Sequence, residues 1–278
     1  MFAVRDRSWG VRVLLLARFS GVVMASSVRV PQLQRGWLLN LYPGAGEGGG
    51  CFVSARLRTA WGSGGGPAAD PERARVEAGR RARGRLRRYC AANQLNRLGT
   101  LTYEGEGCQD PGLARADVGV FFRTLRTDLG GEPFPYVWVP EWHKSGHGLH
   151  LHFAVGRFIP RGRILSAWGR GFVHIKLLGD LPVGSGPVAE ARKAAGYLSK
   201  YVSKTFSDDG GVERPRGMHR FDVAQGFKPG VMRLQGATVA GVVGEASELM
   251  GGAPAVFWSS DQVPDWQGPS AIWVQWAI

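Results

Sequence analysis

The sequence has few of the residues and motifs that mark several common protein classes. It contains only three cysteines, Cys51, Cys90 and Cys108, without a C-x-x-C pair, which argues against a zinc ribbon or a disulfide framework. No hydrophobic run is long enough to suggest a membrane span. The glycine-rich run 44–50 is not followed by Gly-Lys-Ser/Thr, so it is not the phosphate-binding loop of a nucleotide-hydrolysing motor. We expect a protein of a reducing bacterial cytoplasm that does not act at a membrane.

Acidic residues are scarce beside basic ones. The chain has 35 lysines and arginines against 22 aspartates and glutamates, which gives a formal net charge of +13. This balance favours a polyanionic partner, above all nucleic acid. Only six of the basic residues are lysines, and Lys193, Lys200 and Lys204 all fall in one predicted helix. These clustered lysines carry more functional weight than the many arginines.

Hydrophobic periodicity predicts an α+β fold in the middle of the chain. The order of elements is β-α-β-β-α-β-α, which we interpret as a sheet covered by helices on one face. The predicted strands are 98–103, 134–142, 149–155 and 172–178, and the predicted helices are 116–129, 161–168 and 188–204.

Composition divides the chain into four predicted regions. Residues 1–70 are glycine-rich without periodicity, so we expect a poorly ordered extension. Residues 71–96 are expected to form a basic helical arm whose arginines point all ways round. Residues 97–210 would be the catalytic domain, and residues 211–278, which contain several tryptophans, a packed C-terminal extension.

Four basic residues are candidate DNA contacts. Arg81, Arg85 and Arg88 lie in the arginine-rich arm, and Lys193 lies in the last predicted helix. Binding through such residues would be electrostatic and strongly dependent on salt. A solvated basic helix without a role in binding is the alternative for the arm.

The hairpin formed by the second and third predicted strands carries a candidate metal site. Side chains on a strand alternate between faces, so His150 and His152 project to the same side, and Glu141 ends the preceding strand. Two imidazoles and a carboxylate suit a catalytic divalent ion, Mg²⁺ or Mn²⁺. His143 and His147, in or beside the turn, are expected to be accessory or to face DNA. The alternative is a pair of surface histidines that bind no metal.

The last predicted helix offers candidate nucleophiles. Tyr197 and Tyr201 lie one turn apart, away from the apolar stripe that we expect to be buried, and Lys200 and Lys204 flank them. A phenol attacks phosphorus poorly at neutral pH, but a nearby ammonium group favours the phenolate. The neighbouring lysines slightly favour Tyr201 as the first nucleophile. The alternative is that both tyrosines only pack at an edge. The apolar stripe is Ala191, Ala195, Leu198 and Val202.

Taken together, these motifs resemble the HUH endonucleases, which start rolling-circle replication. Thr100-Leu-Thr-Tyr103 resembles the first motif of that family and His150-Leu-His152 the second. The third motif, Tyr-x-x-Lys, is matched twice, at Tyr197/Lys200 and at Tyr201/Lys204. The lead-in from Glu141 to Gly146 is similar to the hairpin that supplies a third metal ligand in initiators of small circular DNAs. The doubled tyrosine resembles the initiators of single-stranded DNA phages.

The resemblance implies a replication initiator of plasmid or single-stranded DNA phage type, with a ferredoxin-like core and a five-stranded antiparallel sheet. Its substrate would be single-stranded DNA at an origin, nicked and rejoined through a covalent 5′-phosphotyrosine. Because no helicase domain is present, a host helicase and a polymerase are expected partners.

Three other functions remain open at this point. A transposase or a relaxase would use the same core chemistry. A basic DNA-binding protein would have the residues but no catalytic activity. A metal-dependent phosphohydrolase would attack with water and would leave no covalent adduct.

Overall fold

The chain forms two five-stranded antiparallel sheets with α-helices packed against them. The computed structural model describes residues 35–54, 70–176, 186–204 and 219–278. Within these ranges the helices are α1 (Pro71–Ala92), α2 (Pro111–Asp128), α3 (Arg161–Trp168), α4 (Pro187–Lys204) and α5 (Val239–Met250). The strands are β1 (Gly36–Tyr42), β2 (Glu47–Val53), β3 (Arg97–Tyr103), β4 (Tyr136–Trp142), β5 (Leu149–Val155), β6 (Gly171–Lys176), β7 (Asp222–Val223), β8 (Met232–Gly236), β9 (Val256–Ser259) and β10 (Ala271–Gln275).

The α+β prediction is confirmed. None of the described helices is both long and apolar enough to cross a membrane.

The first sheet, which we call the site sheet, has the strand order β6-β3-β5-β4-β7. From β3 to β6 the chain follows the β-α-β-β-α-β order of a ferredoxin-like unit. Strand β5 and helix α3 begin and end where the sequence predicts. Helix α2 begins earlier than predicted, because Pro111 occupies its first turn and the Asp110 carboxylate accepts a hydrogen bond from the Gly112 amide at 2.7 Å. The end of the predicted strand 172–178 lies outside the described residues.

Helices cover both faces of the site sheet, which corrects the expectation of helices on one face. On one face, Phe121 of α2 and Trp168 of α3 pack against Leu151. On the other face, Leu86 of α1 and Leu198 of α4 belong to a second core. The second layer is needed because β3, β4 and β5 are apolar on this face as well, and such residues must be removed from water. They are Leu98, Val137, Val139 and Ala154.

Helix α1 is part of the core and not a free arm. Ala82, Leu86, Tyr89 and Cys90 are all buried, in the same core as residues of α4. They recur every three or four residues and therefore form one narrow apolar stripe among the arginines. The expectation that α1 lacks a buried face was wrong, since a stripe this narrow is easily hidden by the surrounding basic residues.

The second sheet, which we call the terminal sheet, has the order β8-β1-β2-β10-β9 and joins strands from both ends of the described chain. Part of the region 1–70, expected to be poorly ordered, thus forms the hairpin of β1 and β2; residues 1–34 and 55–69 lie outside the described residues. Glycine is required in β2, since a Cβ on Gly50 would collide with the carbonyl oxygen of Leu38. Close strand approach, and not flexibility, accounts for this glycine.

Candidate active site

The histidines of β5 share one face of the site sheet with Glu141. His150 pairs with Glu141 of β4 and with Thr102 of β3, and His152 pairs with Thr100 of β3. Directly paired residues of antiparallel strands project to the same side of the sheet. The three predicted metal ligands are therefore brought together on one surface.

His152 is held between two side chains. Its Nε2 lies 2.8 Å from Oε2 of Glu141, and its Nδ1 lies 2.9 Å from Oγ1 of Thr100. The residue is only 5% exposed. Partners on both ring nitrogens fix the orientation of the imidazole, as is common for histidines that bind metal ions. The sequence placed Thr100 in a motif but did not predict this contact.

His150 has a buried ring nitrogen without a partner. Within the described residues its Nε2 makes no hydrogen bond. Burial, followed by the neighbouring charges of His143 and His152, lowers the pKa of His150 to about 4. The imidazole is therefore neutral near pH 7, which is the form that can ligate a metal ion.

The donor set fits a divalent ion in its chemistry but is not arranged as a finished metal site. Among the described residues, no group of three or more His, Cys, Asp or Glu side chains surrounds a common point. Glu141 is bonded directly to His152. The unpaired Nε2 of His150, beside a second imidazole and a carboxylate, nevertheless supplies the ligand types that Mn²⁺ and Mg²⁺ accept.

The two turn histidines differ in their surroundings. The His143 ring stacks on that of His150 with the ring centroids 4.3 Å apart, and its Nδ1 contacts the hydroxyl of Ser145. Nε2 of His147 lies 3.0 Å from the carbonyl oxygen of Tyr103, which ties the turn to β3. His143 is therefore the better placed of the two to assist the site.

Helix α4 lays both tyrosines over the histidine face. The Tyr201 ring stacks on His152 with centroids 3.7 Å apart and an interplanar angle of 10°. The Tyr201 hydroxyl donates a hydrogen bond to the Tyr197 oxygen at 2.6 Å. This orientation follows from the opposite side of the helix, where the predicted stripe Ala191, Ala195, Leu198 and Val202 is fully buried.

The two tyrosines lie in different electrostatic surroundings. Burial, followed by the hydrogen bond to Tyr197, raises the pKa of Tyr201 far above its ordinary value. The ammonium nitrogens of Lys176 and Lys200 lie 4.9 Å and 5.6 Å from the centroid of the Tyr197 ring. The side chain of Lys204 is outside the described residues. Sequence reasoning missed Lys176, whose only signal was its place on a strand paired with β3.

Two of the candidate DNA contacts are partly engaged with the protein itself. Arg88 lies 3.2 Å from the buried carboxylate of Glu47, and its guanidinium lies over the Tyr42 ring. The Arg85 guanidinium lies 5.9 Å from the centroid of the Phe221 ring. These contacts give both arginines a structural role, whether or not they also bind DNA.

The other two candidates lie on different helices. Arg81 is exposed on α1 and lies 3.5 Å from Glu77, and Lys193 is half-buried on α4. Arg81 also lines a groove of about 480 Å³ on α1, together with Arg80, Arg83, Gly84, Arg87 and Arg88. This groove concentrates positive charge on the helix.

Comparison with known proteins agrees with the site. A family model for replication-associated proteins of the ORF2 type matches residues 96–206, which include the histidine hairpin and the tyrosine helix. The match covers less than half of the chain and indicates a replication initiator that interacts with DNA; it is also consistent with endonuclease activity. No curated protein and no solved structure matches the chain.

Proposed function

We propose that this protein initiates rolling-circle replication by nicking and rejoining single-stranded DNA at an origin, through a covalent 5′-phosphotyrosine. One observation carries the proposal: the two-tyrosine helix lies directly on the histidine face, with Tyr201 stacked on His152. A tyrosine that only packed at an edge would not need this neighbour. The similarity of residues 96–206 to replication-associated proteins supports the choice of reaction.

The metal ion of the proposal, Mg²⁺ or Mn²⁺, would be held by His150, His152 and Glu141. When bound, it would draw charge from the scissile phosphate and stabilise the leaving oxygen. Thr100 would keep the His152 ring oriented through Nδ1. His150 would contribute a neutral nitrogen that is already stripped of water.

The reaction itself would be an exchange of phosphate esters. A phenol oxygen attacks the phosphorus, the bond to the 3′ oxygen breaks, and the 5′ phosphate stays on the tyrosine. The phenol loses its proton to solvent, and the 3′ oxygen leaves as a hydroxyl after taking up a proton. Since one ester replaces another, the bond energy is kept for rejoining.

The contacts favour Tyr197 as the first nucleophile, whereas the sequence slightly favoured Tyr201. The Tyr201 hydroxyl donates its hydrogen to the Tyr197 oxygen, and such a bond stabilises negative charge on Tyr197. Two ammonium groups lie near the same ring. In this scheme Tyr201 would attack the regenerated junction while Tyr197 is still esterified.

The proposal is tested by incubating the protein with single-stranded DNA of its replicon and Mn²⁺, followed by a denaturing gel and peptide mapping. We expect a protein–DNA adduct on Tyr197, a reduced yield for Tyr197→Phe, and no adduct for the double variant with Tyr201→Phe. An adduct on any other residue would refute the assignment.

The same gel separates the competing functions. Cleavage without an adduct would indicate a phosphohydrolase that attacks with water, and binding without cleavage would indicate a DNA-binding protein. A transposase or relaxase would also form an adduct but would not support replication of a plasmid that carries the origin. Replication in such an assay would require the host helicase and polymerase.

A further inference from the structure

Strand β6 forms one edge of the described site sheet and presents a row of side chains to the active-site face. Thr100 of β3 pairs with His152 on one side and with His174 of β6 on the other. Phe172 and Lys176 lie two residues to either side of His174, so all three β6 side chains project to the histidine face. The alternate residues of β6 point into the core on the opposite face.

All three side chains of this row are exposed. Phe172 is 65% exposed, the second largest value among the exposed large hydrophobic residues of the described chain. A single exposed apolar residue is ordinary on a protein surface. Here, however, the aromatic ring stands in a row with an imidazole and an ammonium group on a sheet face that also carries the nucleophiles. Aromatic faces beside cations are the means by which proteins bind single-stranded nucleic acid.

Lys176 connects the row to the tyrosines. Its Nζ lies 4.9 Å from the centroid of the Tyr197 ring, while Lys200 approaches the same ring from the helix that carries it. An ammonium group so close to the attacking phenol can also reach the phosphate that the phenol attacks. Phe172 lies at the other end of the row, paired with Thr102, whose second partner is His150.

We propose that β6 binds the single strand beside the scissile phosphate, with Lys176 on the phosphate chain and Phe172 stacked on a base. The inference rests on the proposed function, which it deepens by assigning the substrate a path across the edge of the site sheet. A phenylalanine face accepts any base, so this contact would position the strand without selecting its sequence. Recognition of the origin sequence would then lie elsewhere.

Equilibrium binding in EDTA tests the path without requiring cleavage. The probe is a fluorescein-labelled pool of single-stranded oligonucleotides of random sequence, followed by fluorescence anisotropy. Phe172→Ala should weaken binding about ten-fold or more, and Phe172→Trp should restore it, because stacking needs only an aromatic face. The matched control is Phe257→Ala, an exposed phenylalanine of the terminal sheet, which should bind like the wild type.

The charge contact has its own signature. Lys176→Ala should reduce the slope of log affinity against log salt concentration by about 0.7, the value for one phosphate contact on single-stranded DNA, and Lys176→Arg should keep it. Lys228→Ala, an exposed lysine outside the row, serves as the control. All these positions are on the surface, and unchanged thermal unfolding would confirm that each variant is folded.

The outcomes separate this inference from the proposed function. If the wild type forms the tyrosine adduct but Phe172→Ala and Lys176→Ala bind like their controls, the path is wrong and the nicking function stands. If both variants lose affinity as expected while the wild type forms no adduct, the path is supported as a binding surface and the nicking function fails. A loss for Phe172→Ala that tryptophan does not restore would also overturn the stacking contact.

Discussion

The site sheet and the terminal sheet have the same number of strands but treat a buried polar residue in opposite ways. In the terminal sheet, Glu47 is 1% exposed and is paired by Arg87 at 2.7 Å and by Arg88 at 3.2 Å. In the site sheet, Nε2 of His150 is buried with no partner among the described residues. A satisfied buried charge maintains a structure, whereas an unsatisfied nitrogen facing nucleophiles is available for chemistry.

The largest effect is expected on the site sheet. His150→Ala or His152→Ala should reduce adduct formation about a hundred-fold or more, because each removes a proposed metal ligand. The measurement is adduct yield in Mn²⁺, with circular dichroism to verify folding. Gln235→Ala, an exposed change on the terminal sheet, should keep full yield. Normal activity of both histidine variants, or full wild-type activity in excess EDTA, would contradict the metal site.

The next effect should fall on the terminal sheet and on stability alone. Glu47→Ala leaves Arg87 and Arg88 without their carboxylate, so we expect a loss of about 3 kcal/mol in the free energy of unfolding, measured in urea. Adduct formation at low temperature should persist. The control, Glu72→Ala, breaks an exposed pair with Arg75 and should cost less than about 0.5 kcal/mol. Equal losses for the two variants would show that the Glu47 pairing is not special.

Two adjacent glycines of β2 provide a sharper test of strand packing. Gly50→Ala would drive a Cβ into the Leu38 carbonyl oxygen, and we expect a cost of about 1–3 kcal/mol in urea unfolding. Gly49→Ala meets nothing nearer than 3.8 Å and should be tolerated. If the two variants unfold at the same urea concentration, the close approach of β1 and β2 does not constrain the sheet.

A smaller effect is expected on the exposed side of α1. If Arg81 contacts one phosphate, Arg81→Gln should lower the salt slope of single-strand binding by about 0.7 and leave stability unchanged. The control is Lys228→Gln. Point substitution is preferable to deletion of α1, since deletion would also remove Leu86 from the core. An unchanged slope would leave Arg81 as a solvated residue.

The smallest effect concerns thiol chemistry in the terminal sheet. Burial raises the pKa of Cys51, so less thiolate forms at a given pH than on a free cysteine. Alkylation of Cys51 in the folded protein should therefore rise at a higher pH than in the urea-unfolded chain, as followed by mass spectrometry. Cys90 and Cys108 are buried and should be protected. Coincident pH profiles for folded and unfolded protein would contradict this environment.

Much of the site sheet was predictable because its signals are local. The alternation of apolar and polar residues in β5 indicated a strand with both histidines on one face, and the stripe ending at Val202 indicated how α4 would lie. The position of Glu141 in the same hairpin followed from the short turn. The prediction failed for α1, whose stripe through Ala82 and Leu86 is too narrow to stand out among arginines.

The sequence by itself determined the local elements and the candidate site, since strand alternation and helical periodicity act over a few neighbouring residues. Only the tertiary structure decided which distant segments meet. The terminal sheet pairs β1 with β8, across most of the described chain, and no local pattern specifies such a partner. For the same reason Lys176 could not be assigned to Tyr197: the two residues belong to different elements, and only packing of α4 on the site sheet brings the ammonium group to the phenol ring.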